Sequence, residues 1–494
     1  MYPDSNAAEI ERIMSEAWTA FHGYRRISLA KRSEFMKTIA TDLRQEAERL
    51  VPVAVQETNL PAQRLRGELA RTIFQLESYA EACEKGDWMD IRIDTADPNK
   101  TPAKPDIRKM LVPLGPVVVF GASNFPFAYS TAGGDTACAF AAGCPVIVKA
   151  HPAHSGTSTL VADIISTASS KCRLPRGTFA HVYGKSPEVG HALVTNTHTK
   201  AVGFTGSFAG GKQLFDWANQ RKEPIPVFSE MGSTNPVFLL PDKLRQDYKS
   251  VAKLYAGSIT LGVGQFCTNP GIIVGIAGES LNEFMSALGA EIRKAVPATM
   301  LHPGIANSFW EKRSAAIHQT EVEVLAESVT LPLQNQGQPT IASVSAAAFM
   351  NNPILHQEVF GPYSIIVRCE SLNEMLEVVR TFDGQLTATI MGSEKDMMEN
   401  DDLVESIKNI CGRFILNGVP TGVEVCLSMH HGGPFPATTD ARFTSVGADG
   451  IKRFARPIAY QNWNDSLLPE ELKNANPCHI WRTINNELTR NSIN

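Results

Sequence analysis

A chain of 494 residues exceeds the roughly 250–300 that one hydrophobic core organises, so two large domains are expected. Its formal net charge of -5, with no basic tract, removes the electrostatic case for nucleic acid or an anionic membrane as a partner. Nine scattered cysteines without a Cys-x-x-Cys pair argue against a disulfide framework and a zinc site, and no run approaches the ~18 apolar residues of a membrane span. The first 17 residues lack the apolar centre of a signal peptide, so a cytoplasmic enzyme with reduced thiols is expected.

Residues 7–87 are helical in pattern, with Phe35, Ile39 and Leu43 every fourth position among Lys, Arg and Glu, and read as scaffold. Residues 91–111 alternate as Ile-Arg-Ile-Asp, pass Pro98, Pro102 and Pro105, and end in a second short run, which predicts a hairpin standing off the body. Its edges suit either pairing with another chain or a plain surface excursion. From Val117 to Met231 five apolar runs (117–120, 146–149, 179–183, 201–205 and 226–229) alternate with helix-length segments, the pattern of a parallel sheet covered on both faces. Ligands of such sheets sit at the carboxyl ends of the strands, which singles out Asn124, Lys149, Lys185, Ser207 and Glu230. A second α/β portion is expected over 232–450, with strands near 271–275, 363–367, 386–390 and 413–417. In the tail, 451–494, the stretch Arg456–Trp463 suits a strand pairing with the early hairpin.

The chemistry concentrates on Cys267, set among turn-prone residues in Leu261-Gly-Val-Gly-Gln-Phe-Cys-Thr-Asn-Pro-Gly271. A thiol of ordinary pKa about 8.5 needs a base or donors before it acts as a nucleophile. Glu230 and Asn124 each end an apolar run and are candidates, although a carboxylate there also suits a helix cap, and Asn124 could cap a helix starting near Phe127. No Gly-x-Gly-x-x-Gly follows the first run; instead Phe204-Thr-Gly-Ser-Phe-Ala-Gly-Gly211 opens a helix whose N–H groups would face a pyrophosphate.

Asn124-Phe-Pro126, Glu230 with its glycine turn, Gly264-Gln-Phe-Cys267 and Glu358-Val-Phe-Gly-Pro362 together resemble the aldehyde dehydrogenase superfamily over nearly the whole chain. The resemblance implies an α/β fold: a Rossmann-type cofactor domain (1–90 and 112–231), an α/β catalytic domain (232–450) and a small β oligomerisation arm (91–111 with 451–494). It also implies Cys267 as nucleophile, Asn124 with the Cys267 N–H as oxyanion donors, and Glu230 as the base that activates water, its pKa raised by partial desolvation. Lys149 would hold ribose hydroxyls, Thr205, Gly206 and Ser207 border the cofactor, Glu358 binds the nicotinamide ribose and Phe360 braces the ring. Pro152 stands where NAD-preferring relatives carry a glutamate, and Lys185 adds positive charge, which points to NADP with NAD as the alternative. His151 and His154 read as solvated loop residues, Asn417 as a structural asparagine, and 421–434 as part of the substrate entrance.

Two departures, Met231-Gly-Ser-Thr-Asn-Pro236 and Thr268-Asn-Pro270, resemble with Val148–Pro152 and His431–Pro436 a branch of NADP-dependent 2-oxoglutarate semialdehyde (2,5-dioxopentanoate) dehydrogenases and a related long-chain aldehyde dehydrogenase. The expected reaction is therefore oxidation of 2-oxoglutarate semialdehyde to 2-oxoglutarate through a thiohemiacetal and a thioester, in a homodimer or homotetramer without a metal. Phe125, Phe127, Phe266 and Met429 at the substrate tunnel suit a fatty aldehyde equally. A catalytically silent binding or structural protein of the same fold is the rival from outside enzymology.

Overall fold

The computed structural model describes residues 2–493. The amino-terminal scaffold is four helices, α1 (Ala7–Tyr24), α2 (Leu29–Gln45), α3 (Ala47–Thr58) and α4 (Ala62–Lys85). Asn6 and Ser28 cap the first two by accepting from the N–H groups of Glu9 and Lys31, which satisfies donors a helix start leaves free. The predicted stripe Phe35, Ile39 and Leu43 is fully buried and joins Leu65, Leu69 and Leu76 of α4 in one core. The 91–111 segment forms β1 (Arg92–Asp94) and β2 (Ile107–Pro113), paired antiparallel.

The five apolar runs become β3 (Val117–Phe120), β4 (Val146–Lys149), β5 (Phe179–Val182), β6 (Ala201–Thr205) and β7 (Val227–Glu230), parallel throughout in the order β5-β4-β3-β6-β7. Alternate residues serve two cores: Val117, Val119, Val146 and Val148 face one, Val118, Phe120 and Ile147 the other. Between them run α5 (Gly134–Ala142), α6 (Ser155–Lys171), α7 (Pro187–Thr195) and α8 (Phe208–Asn219). Strand order reverses between β3 and β6, so the crevice beyond their carboxyl ends is the natural ligand site.

The second sheet uses β8 (Val237–Leu239), β9 (Ile272–Ile276), β11 (Glu323–Glu327), β13 (Thr340–Ser345), β14 (Tyr363–Cys369), β15 (Gln385–Met391) and β16 (Cys411–Leu416); β10 (Ala298–Thr299) and β12 (Gln336–Gly337) pair separately. Its order is β11-β13-β14-β9-β8-β15-β16, parallel except at edge strand β11. Helix α9 (Pro241–Thr260) links β8 to the cysteine segment. In the tail, β17 (Ala455–Gln461) pairs antiparallel with β2. β18 (Arg482–Ile484) lies parallel to β1, and β19 (Glu487–Thr489) completes a five-stranded sheet. Among the described residues no helix is long and apolar enough to cross a membrane.

Candidate active site

The cysteine segment is a turn held from three sides. Gly262, Val263 and Gly264 take φ of 53°, 59° and 65°, a left-handed run that is strained at a β-branched valine. A Cβ on Gly264 would lie 2.2 Å from the carbonyl oxygen of Gly361, so this glycine lets the cysteine turn pack directly on the 358–362 segment. Asn235 donates from Nδ2 to the carbonyls of Cys267 (2.8 Å) and Asn269 (3.0 Å), while its Oδ1 accepts from Ser233 and Thr387 hydroxyls. Gln385 Oε1 accepts from Ser233 Oγ and Thr234 N, and Asn269 reaches the Gly361 carbonyl at 3.2 Å. Ser233, Thr234, Asn235 and Asn269, unusual in sequence, form one network that fixes the backbone around Cys267.

Facing Cys267 are Glu230, the last residue of β7, and His431, delivered by the irregular segment after β16. Sγ of Cys267, a Glu230 carboxylate oxygen and a His431 ring nitrogen lie within 4.8 Å of one another. His431 Nε2 is 3.7 Å from Cys267 Sγ and 3.0 Å from Glu230 Oε1, and Ser445 donates to the second carboxylate oxygen. Pairing of His431 with 444–445, through Thr444 Oγ1 and Ser445 N, holds the imidazole there.

Burial is the largest single influence on Glu230 and pushes its pKa up, but His431, Ser445 and Cys267 together outweigh it, so the carboxyl sits below its ordinary value. This corrects the expectation of a raised pKa: desolvation acts as foreseen, and the unforeseen imidazole reverses the sign. Cys267 moves the other way. Burial and the neighbouring Glu230 charge push the thiol well above its usual range, with Arg71 as the opposing cation. At rest the sulfur is a protonated thiol beside a charged carboxylate, which is a proton donor beside an acceptor.

Asn124 is buried four residues past β3, and its Nδ2 donates to the Gln265 carbonyl at 3.1 Å, two residues before Cys267. No helix begins at Phe127; α5 starts at Gly134, so Asn124 is not a helix cap. Phe125 and Phe266 meet edge to face at 5.6 Å. Phe127 is not a tunnel residue: it is fully buried in the main core, and its N–H and that of Ala128 donate to Glu68 Oε1 at 2.8 and 3.0 Å. Met429 is half-buried and packs against the same core.

That cleft is lined by Lys149, Pro152, Lys185, Thr205, Gly206, Ser207, Glu358 and Phe360 along with Asn124, Phe125 and Cys267. Ser207 caps α8 by accepting from Gly210 N, so the helix start opens on the cleft with its positive end. Burial lowers the Lys149 pKa to about 8, opposed by Asp4, which also accepts the N–H groups of Lys185 (2.8 Å) and Ser186 (2.9 Å). Burial raises Glu358 to about 7. Donors at a helix start, a half-desolvated lysine and an acceptor carboxylate fit a nicotinamide dinucleotide, with pyrophosphate, ribose and nicotinamide ends in turn. His154 departs from its solvated reading, since it is wholly buried with Nε2 2.7 Å from the Ala122 carbonyl; His151 is partly buried at the cleft wall. Asn417, φ 54°, ties β16 to Gly392 through both N–H and carbonyl.

Sequence reasoning missed His431, Asn235, Ser445 and Asp4. His431 carries a local signal in its two following glycines, whereas partners some 200 positions away in the chain leave no mark near Glu230.

The aldehyde dehydrogenase family model matches residues 1–433. Alpha-ketoglutaric semialdehyde dehydrogenase of Acinetobacter baylyi is 41% identical over 493 residues, covering 99% of this chain and 93% of the relative. Alpha-ketoglutaric semialdehyde dehydrogenase 2 of Azospirillum brasilense is 44% identical over 476 residues, covering 96% and 91%. Among solved structures, 3,6-anhydro-L-galactose dehydrogenase in complex with NAP superposes with a TM-score of 0.79 at 21% identity, covering 93% of this chain and 92% of that one.

Proposed function

This chain belongs to the aldehyde dehydrogenase family, whose members are oxidoreductases acting on aldehydes, and on that premise we propose a cytoplasmic, NADP-dependent enzyme that oxidises 2-oxoglutarate semialdehyde to 2-oxoglutarate. The observation that carries the mechanism is the meeting of Cys267, Glu230 and His431 within 4.8 Å beside the long cleft. The two relatives above 40% identity carry the substrate.

In this reading Glu230 takes the thiol proton, with His431 steadying the carboxylate, and Cys267 sulfur adds to the aldehyde carbon. The carbonyl oxygen becomes an oxyanion that the Asn124 amide and the Cys267 N–H stabilise; such a donor is worth about 3–4 kcal/mol in the barrier. Oxidation of the adduct to a thioester is the chemistry a nicotinamide dinucleotide supplies when bound. Glu230, once it has passed the thiol proton to solvent, removes a proton from water; the hydroxyl adds to the thioester carbon, the C–S bond breaks, the acid leaves, and the thiolate regains a proton from Glu230. A carboxylate retained at position 230 favours water over coenzyme A as the acyl acceptor.

Residues 1–90 and 112–231 serve as the cofactor domain, with Lys149 at the ribose, Thr205, Gly206 and Ser207 at the phosphates, and Glu358 and Phe360 at the nicotinamide end. NADP is favoured because Pro152 places no carboxylate where a 2'-phosphate would lie and because Lys149 and Lys185 line that end of the cleft. Residues 232–450 form the catalytic domain, and the sheet of 91–111 with 451–494 serves a homodimer or homotetramer. Steady-state kinetics with the semialdehyde and with hexanal, each with NADP and NAD, test the reading; a hexanal kcat/KM far above that for the semialdehyde overturns the substrate.

A further inference from the structure

An aldehyde that ends in a carboxylate needs a cation where its tail lies. Helix α4, read from sequence as scaffold, presents Arg64, Glu68 and Arg71 on one face at i, i+4 and i+7. Arg64 donates from Nη2 to the Asn124 carbonyl at 2.9 Å, and its guanidinium sits 5.3 Å from the ring centre of Phe125 and 4.9 Å from that of Phe266. Its Nη1 is buried and has no hydrogen-bond partner among the described residues. A buried charged donor left unmet is costly, and aromatic walls raise the strength of whatever anion meets it.

Glu68, between the two arginines, is committed to the N–H groups of Phe127 and Ala128, and burial pushes its carboxyl up to about 7, so it is only a partial counter-charge at neutral pH. Arg71 reaches the Val423 carbonyl at 3.2 Å, lies 5.6 Å from the Tyr129 ring centre, and is the cation whose field opposes the raised thiol of Cys267. Arg413, on β16, is anchored on the carbonyls of Gly422 and Pro420, with a buried Nε that has no partner among the described residues. Arg64 and Arg71 thus flank Phe125, Phe266 and Tyr129 from α4, and Arg413 is a third guanidinium whose field reaches Tyr129 and Cys267.

We propose that Arg64 and Arg71, backed by Arg413, are the receptor for the carboxylate of the aldehyde substrate and set the enzyme's preference for a short oxo-acid semialdehyde over an uncharged aldehyde. This assignment rests on the substrate reading above. The test compares 2-oxoglutarate semialdehyde with 4-oxopentanal, which carries a methyl group in place of the carboxylate, in the full-length wild type, Arg64→Met, Arg71→Met and Arg71→Lys with NADP. The wild type prefers the semialdehyde; each Met variant lowers the ratio of the two kcat/KM values at least tenfold, mainly through KM for the semialdehyde, and Arg71→Lys recovers part of it. In the wild type alone, 2-oxoglutarate competes with the aldehyde and 4-oxopentanoate, which lacks only the distal carboxylate, does not, a readout that needs no variant to fold. A wild type that prefers 4-oxopentanal overturns the substrate reading. A wild type that prefers the semialdehyde, with Met variants keeping the ratio within threefold or with 4-oxopentanoate competing as well as 2-oxoglutarate, overturns the receptor and leaves the substrate reading standing.

Discussion

Replacing His431 by Gln tests the account of how a buried carboxylate stays charged beside a thiol. In the structure the largest influence on Glu230 is burial, which favours the neutral acid, and the first influence opposing it is the imidazole 3.0 Å from Oε1. Removing a partner that favours the charged form raises the pKa, because Ser445 and Cys267 alone are left to oppose burial. A hydrogen-bonded partner of a charged group is worth roughly 1.5–3 kcal/mol, and at about 1.4 kcal/mol per pH unit the acid limb of kcat should move up by roughly one to two units. The assay is kcat over about pH 5.5 to 9 with saturating NADP and semialdehyde, together with the burst of NADPH in the first turnover. Below the limb, turnover falls about 10- to 100-fold and recovers as pH rises. An acid limb that stays in place, or moves to lower pH, refutes the reasoning.

Three further outcomes follow from particular contacts. Asn124→Ala lowers the rate of the first-turnover burst about 10²- to 10³-fold, because one of two oxyanion donors is lost; an unchanged burst removes the side-chain amide from the oxyanion site. Glu68→Gln keeps an acceptor for the N–H groups of Phe127 and Ala128 but removes a carboxyl whose pKa rises from 4.5 to about 7 on folding. That raised carboxyl lends stability that is fully present below about pH 4.5 and lost as pH passes through about 7, so the variant is more stable than wild type by about 3 kcal/mol at pH 8 and equal to it near pH 4.5, read as Tm against pH. Asp4→Asn takes a negative charge away from the Lys149 end of the cleft and lowers KM for NADP about two- to fivefold while leaving KM for NAD in place; equal effects on both cofactors would contradict a role for Asp4 near a 2'-phosphate.

Much of the cofactor half could be read locally, because a strand buried on both faces is a short continuous apolar run. Val117–Phe120 and Val146–Lys149 are of that kind, and their boundaries match the sequence reading. Thr340–Ser345 is buried and paired on both sides, yet Thr, Ser and Ala dilute its apolar signal, and Arg482–Ile484 with the edge strand Glu487–Thr489 are short and mostly polar. Phe127, beside Asn124-Phe-Pro126, reads from sequence as a tunnel residue; only the turn over 125–132 puts it in the core while Phe125 lines the cleft. Arg64 and Arg71 lie in a stretch that reads only as scaffold, since a helical period tells which residues share a face and not what covers it. His431 required closure of the chain over a span no local pattern encodes.

The most direct measurement of the central claim is made on Glu230→Gln, in which His431 Nε2, 3.7 Å from the sulfur, is left to take the thiol proton, so that acylation is slowed but completes while no carboxylate remains to activate water. Incubated with NADP and the semialdehyde, quenched in acid and digested, this variant should yield one stoichiometric burst of NADPH and an acyl group carried by the peptide containing Cys267. A burst with no acyl group on that peptide, an acyl group on another residue, or steady turnover at the wild-type rate would contradict the pairing of Cys267 as nucleophile with Glu230 as the base that clears it.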